Sequence, residues 1–182
     1  ELMLGERLSQ LYPDRPTDAA VSPCLSVKGL SMEGKFEDIT FEARRGEIYG
    51  IFGLVGSGID ELSKTLFGAM QETSGEIVKD GERLTLASPG QAIRKGIFLV
   101  PGNRKTEGFL SGLEIAFNIT IARLDKAAGK LGLINRRREQ EDARALVDKL
   151  SIATPSLDKK VNELSGGNQQ KVVVAKGLYA GA

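Results

Sequence analysis

The stretch Gly53-Leu54-Val55-Gly56-Ser57-Gly58 constrains this chain more than any other. It follows an apolar run, Glu47-Ile48-Tyr49-Gly50-Ile51-Phe52, and precedes a segment with Leu62, Leu66 and Phe67 on one helical face. Strand, glycine turn and helix start in that order bring unpaired backbone N–H groups together, which makes a site for an anion. Gly53, Gly56 and Gly58 let the backbone curl where a Cβ would clash. The plainer reading, a strand-to-helix turn that happens to be rich in glycine, needs no ligand. The spacing is that of the phosphate loop G-x-x-x-x-G-K-[ST], but its last two positions hold Ile59 and Asp60. Lysine reaches the β- and γ-phosphates in such loops; isoleucine brings no charge and aspartate brings the wrong one. At contact distance that exchanges attraction for repulsion. Asp60 and Glu61 instead suit the first turn of a helix, where carboxylates complement the dipole, and the pair partly substitutes for a missing phosphate.

The rest of the chain alternates strand and helix signals. Residues 1–22 read as a linker, broken by Pro13, Pro16 and Pro23. Leu25, Val27 and Leu30, then Phe36, Ile39 and Phe41, mark two short strands. A helix is expected over 58–69, and a hairpin over 75–84 turned at Asp80-Gly81. Ser88-Pro89-Gly90-Gln91 opens another helix that Gly96 ends, and 97–100 reads as a short buried strand. From 112 to 151 the pattern is helical, with Ala143, Leu146, Val147 and Leu150 at helical spacing; a last helix spans 165–179. The fold class is therefore α/β with a helical subdomain. The expected division is linker 1–22, core and β subdomain 23–102, helical subdomain 103–163 and a final helix 164–182.

Composition closes off several function classes. The chain has no histidine, which excludes Ser-His-Asp catalysis and histidine metal sites within it. A net charge of +1 gives no reason to expect a nucleic-acid partner. One cysteine, Cys24, cannot form an internal disulfide. The run Asn135-Arg136-Arg137-Arg138-Glu139 reads first as a solvated helix start, and secondly as a contact for another protein.

A second motif is Leu164-Ser165-Gly166-Gly167-Asn168-Gln169-Gln170-Lys171. In bare physical terms it is a serine-capped helix start; serine and glycine amides there can also hold a phosphate. As a string it resembles the signature motif of ATP-binding-cassette (ABC) ATPases. Arg45 to Gly56, Val100-Pro101-Gly102-Asn103-Arg104-Lys105-Thr106-Glu107-Gly108 and Thr154-Pro155-Ser156-Leu157 extend the resemblance to the second cassette of bacterial monosaccharide importers. It covers essentially the whole chain, with Leu2 to Arg7 similar to the join between the two cassettes.

The resemblance implies a P-loop ATPase core with an antiparallel β subdomain and a helical subdomain carrying the signature. It implies ATP and Mg²⁺ as cofactors of the parent protein. The implied partners are a first ATP-binding cassette in the same polypeptide, transmembrane permease subunits and, indirectly, a periplasmic sugar-binding protein. The implied place is peripheral, on the cytoplasmic side of the membrane. Each nucleotide would lie between one cassette's phosphate loop and the other's signature. Here that gives Gly53, Gly56, Ser57, Gly58, Ile59 and Asp60 to a degenerate loop, and Ser165, Gly166, Gly167 and Gln169 to a signature acting in trans.

The departures matter as much. That family carries arginine and threonine where Ile59 and Asp60 stand. Gly102 takes the place of a Gln or Glu that watches the metal and the attacking water, and no adenine-stacking aromatic is evident near Met32. The family's metal aspartate, catalytic glutamate and histidine would follow Ala182, so the chain reads as a cassette shortened after its signature helix. Loss of that core strand is expected to expose apolar surface and an unpaired sheet edge. Weak or no nucleotide binding and no hydrolysis are expected of this chain alone. Two other classes fit parts of the sequence: a non-catalytic nucleotide-sensing or scaffold cassette, and a soluble ABC protein of translation or DNA repair.

Overall fold

A computed structural model describes residues 23–129 and 132–182. The expected linker 1–22 lies outside the described residues. Two apolar clusters organise the rest, one built on a sheet and one on helices.

The sheet is antiparallel, with strands β1 (Pro23–Met32), β2 (Phe36–Arg44), β3 (Ser74–Lys79) and β4 (Glu82–Leu84) in the order β2-β1-β3-β4. Val27 lies opposite Phe41 on one side and Ile77 on the other, which sets the register of the buried face. Irregularities beside Leu30 follow from Gly29 and Asp38, both at positive φ (56° and 50°), where the Gly29 amide donates to Thr40 Oγ1. The hairpin turns where expected: Asp80 and Gly81 have φ of 50° and 82°, the two left-handed residues of a type I′ turn. Helices α1 (Ile59–Leu66) and α2 (Pro89–Arg94) cover the sheet through Leu62 and Ala92. Ser88 caps α2 by position, but its hydroxyl makes no capping bond; Gln91 Oε1 accepts from the Ala87 amide instead.

The helical half comprises α3 (Ile115–Thr120), α4 (Leu124–Ala127), α5 (Arg136–Lys149) and α6 (Gly166–Ala180). Ile115 and Ile119, Ala143 and Val147, and Val172 and Val173 interlock at its centre. Asn135 caps α5 by accepting from the Arg138 amide, so the charged start of that helix is well formed. Asn118 is fully buried and its amide grips the preceding turn, accepting from the Leu110 amide and donating to Leu110, Leu113 and Glu114 carbonyls. Glu139 is fully buried too. Its carboxylate accepts from Thr120 Oγ1 at 2.9 Å and from Arg136 Nη1 at 2.9 Å. A buried charge is tolerated only when it is paired in this way.

Two expected strands do not form. Residues 47–52 and 97–100 carry the right apolar residues, but no strand among the described residues pairs with either. Without a ladder their backbone groups have no reason to adopt a regular extended form. Ile48 is 98% exposed and Phe52 93% exposed, so apolar side chains face outward along this segment. Residues 97–100 are nevertheless placed by packing. Phe98 meets Phe67 edge-on, with ring centroids 6.1 Å apart, and lies so close to Gly177 of α6 that a Cβ there would come within 2.7 Å of its ring. The helix expected over 58–69 ends earlier, at Leu66, with Gly68 at φ 71°.

Thr120→Val keeps shape but leaves Glu139 short of a donor in the core. We expect a loss of about 1–3 kcal/mol in urea unfolding, with Thr120→Ser losing less. Tyr179 of α6 is held neutral by burial and by the Asp142 carboxylate, and its pKa is pushed up to about 12. The unfolded phenol ionises near 10, so stability is in place below that pH and is lost as pH rises through about 12. Urea midpoints measured across this window should fall more steeply for the native chain than for Tyr179→Phe.

Candidate functional site

The glycine loop sits at the junction of sheet and helix. Gly56 and Gly58 have φ of 85° and 86°, a conformation that side-chain-bearing residues avoid. A Cβ on Gly58 would come within 2.4 Å of the Lys35 carbonyl oxygen, so the start of α1 is pressed onto the β1–β2 turn. At Gly53 a Cβ would lie 2.3 Å from Ser57 Oγ and 2.7 Å from Ile59 Cδ1. The Ser57 and Ile59 side chains therefore fold back across Gly53, and Ile59 puts a methyl group over the loop where a phosphate loop carries an ammonium.

The charge pattern around the loop is self-contained. Asp60 pairs with Lys64 at 2.9 Å, and Lys64 also reaches Glu107 at 3.2 Å. Bonds to both carboxylates, Asp60 first, raise the Lys64 pKa. Glu61 is held below the usual carboxylate range by a bond from its own backbone N–H and by Lys35, 3.2 Å away. Asp60 and Glu61 thus occupy the first turn of α1, as expected, and Glu61 takes up one of the amides at the helix start. At the head of α1, then, Ile59 is neutral, Asp60 is engaged by Lys64 and Glu61 by Lys35. Gly102 is exposed, with nothing within 4 Å of where its Cβ would be.

Beside the loop lies a groove of about 480 Å³ bounded by Phe36, Phe41, Tyr49, Ile59 and Leu62. Phe41 and Tyr49 stack at 5.1 Å between ring centroids.

The signature segment presents the opposite electrostatics. Ser165, Gly166 and Gly167 are exposed at the head of the fifteen-residue helix α6. The first bond of that helix runs from the Gln169 amide to the Ser165 carbonyl, so the amides of Gly166, Gly167 and Asn168 have no helical acceptor. The Ser165 hydroxyl does not cap them; it accepts from Asn168 Nδ2 at 3.1 Å. No neighbour lies within 4 Å of a Cβ built on Gly167. Gln169 turns away from this open side. It is 8% exposed, its Nε2 donates to the Leu164 carbonyl at 2.9 Å, and its Oε1 has no partner among the described residues.

Sequence reading missed Arg104. It begins a single π turn, Arg104–Gly108, that lies along α6. A Cβ on Gly166 would meet Arg104 Nη2 at 2.9 Å, and one on Gly108 would meet Val173 Cγ2 at 3.0 Å. Lys176 closes the seam by donating to the Gly108 carbonyl; burial lowers its pKa. The loop and the signature are thus joined through this turn, with Glu107 on Lys64 at one end and Arg104 on Gly166 at the other. The only signal in the sequence was that Arg104 and Gly108 lie in one of the motifs.

Gly56→Ala should cost about 1–2 kcal/mol, the strain of a left-handed alanine. Gly58→Ala should cost about 1–3 kcal/mol more, because the added methyl meets a backbone carbonyl. Chemical denaturation of both variants checks the order.

A protein-family model described as ABC transporter matches residues 36–182. The chain is 41% identical over 177 residues to the ribose import ATP-binding protein RbsA of Cereibacter sphaeroides, covering 97% of this chain and 35% of that protein. It is 42% identical over 181 residues to RbsA 1 of Rhizobium johnstonii, covering 98% and 35%. It is 41% identical over 176 residues to the arabinose import ATP-binding protein AraG 2 of Burkholderia ambifaria, covering 97% and 34%. The chain therefore spans about a third of the length of these relatives. Among solved structures, a nucleotide-free ATP-binding cassette of an ABC transporter superposes with a TM-score of 0.69 at 21% identity, covering 87% of this chain and 66% of that one. A bacterial cassette solved as a dimer gives 0.66 at 18% identity, covering 86% and 69%. At those identities the structures speak for the fold alone, which is that of an ABC ATPase cassette. The match over most of its length shows that this chain belongs to the ABC transporter family.

Proposed function

We propose that the chain is the nucleotide-binding cassette of an ATP-driven monosaccharide importer, with its own phosphate loop retired and its signature used in trans. The observation that carries this reading is the contrast between two helix starts. At α1, Ile59, Asp60 and Glu61 meet the amides with apolar and negative groups. At α6, the amides of Gly166, Gly167 and Asn168 stand open beside an exposed Ser165.

Two cassettes in one polypeptide would divide the work. The first would hold ATP and Mg²⁺ on an intact loop. This chain would bring Ser165, Gly166 and Gly167 to the phosphates of that nucleotide, with Gln169 holding the turn from behind through Leu164. ATP bound between the two would close them, and hydrolysis would let them part. The motion would drive permease subunits that import a sugar handed over by a periplasmic binding protein. The cassette would then sit peripherally on the cytoplasmic face of the membrane. The importer names of the relatives and their greater length support this arrangement. Within the described residues, phosphoryl transfer by this chain alone lacks a side chain at Gly102 to position water.

ATP hydrolysis by the full-length parent protein tests the proposal. Ser165→Arg should lower the rate by about 10²-fold, since it fills the place of the phosphates and removes preorganised donors. The double change Ile59→Lys with Asp60→Thr should leave it within about twofold, as at a surface site without function. If Ser165→Arg has no effect, the cassette is a scaffold or sensor. If the double change raises the rate strongly, Ile59 and Asp60 alone had silenced the loop, and Gly102 does not block it.

A further inference from the structure

We propose that Arg104 is a further phosphate-binding residue of the signature site, placed by the fold so that its guanidinium meets the same anion as the α6 amides. The proposal rests on the reading that Ser165 to Gly167 receive a nucleotide's phosphates, and adds a residue to that site. The arrangement is electrostatically unfavourable as it stands. Arg104 Nη2 lies against the Cα of Gly166, the first residue of α6, where the helix end is already positive. Cations stabilise the other end of a helix.

Its hydrogen bonding is equally unfinished. Arg104 Nε is buried without a partner, and Arg104 makes no ion pair among the described residues. Leaving a charged donor unmet in this way is costly. Arg123 and Arg136, by contrast, are paired, with Asp125 at 2.9 Å and Glu139 at 2.9 Å.

Three open amides with the Arg104 guanidinium against the same helix end suit a ligand with several anionic oxygens. A planar fork is the side chain best shaped to grip phosphate. The π turn that carries Arg104 is held on α6 by Gly108 against Val173 and by Lys176 on the Gly108 carbonyl, so packing sets the backbone from which the guanidinium reaches the helix end. The ligand class is a polyphosphate, delivered by the partner cassette's nucleotide.

The test is a titration of the full-length parent protein, ¹⁵N-labelled at arginine and glycine, with inorganic tripolyphosphate, followed by NMR. The Arg104 Nε–H signal and the Gly166 and Gly167 amides should move together along one saturation curve. Arg104→Gln should weaken that curve about tenfold, the usual worth of a charge-assisted bond, while the remaining amide spectrum stays in place. Arg104→Lys should recover only part of the loss, because it keeps the charge without the fork. If the glycine amides move and the Arg104 signal does not, or Arg104→Gln binds as tightly as the native chain, the role of Arg104 is overturned and the signature reading survives. If neither set moves, the site and the reading beneath it both fall. Shifts confined to Gly56 and Gly58 would place the anion on the other loop and overturn the proposal.

Discussion

The seam between residues 97–108 and α6 holds this structure together. Each apolar cluster is complete within its own half: strands with α1 and α2 on one side, α3, α5 and α6 on the other. What joins them is close packing on glycine. Phe98 lies on Gly177, Val173 lies on Gly108, and the Arg104 guanidinium lies on Gly166. A side chain at Gly177 or Gly108 would need the space a neighbouring residue already fills, and close-packed interiors do not yield such space cheaply. The seam therefore fixes where the signature stands relative to the glycine loop.

Along that seam the charges are sorted. Asp60, Lys64 and Glu107 form a chain of exposed pairs that leads from the glycine loop to the π turn. Each pair is weak by itself. Their effect is to satisfy the loop internally, so that the amides and carboxylates at α1 answer to each other. At α6 the same backbone chemistry is left unanswered. The two helix starts differ in what they offer: Ile59 and two carboxylates at α1, open glycine amides at α6.

Much of this was legible in the sequence. The β1–β2 pair, the Asp80-Gly81 turn, the Ser88 start of α2, the helix start at Asn135 and the extent of α6 all rest on local rules of periodicity, capping and left-handed glycine. Gly56 and Gly58 were readable for the same reason. The failures were of one kind. Residues 47–52 and 97–100 have strand composition, but a strand is a relation between two segments, and composition cannot supply the partner. Arg104 was missed because its importance lies in a contact with Gly166, far along the chain. Gln169 could be named as part of the signature, yet only the helix phase shows that its amide turns inward to Leu164.

By itself, the sequence determined the character of the two motifs: a loop with phosphate-loop glycines but neither lysine nor metal-binding hydroxyl, and a signature with its serine and glycines intact. Those are properties of residue types at fixed spacing, and no packing can alter them. Tertiary structure alone decided which groups meet. It set Ile59 across Gly53, tied Asp60 through Lys64 to Glu107, and laid a guanidinium against the head of α6. Such contacts depend on how two separately formed cores press together, and that is set by shape and volume across the seam, which no local pattern encodes.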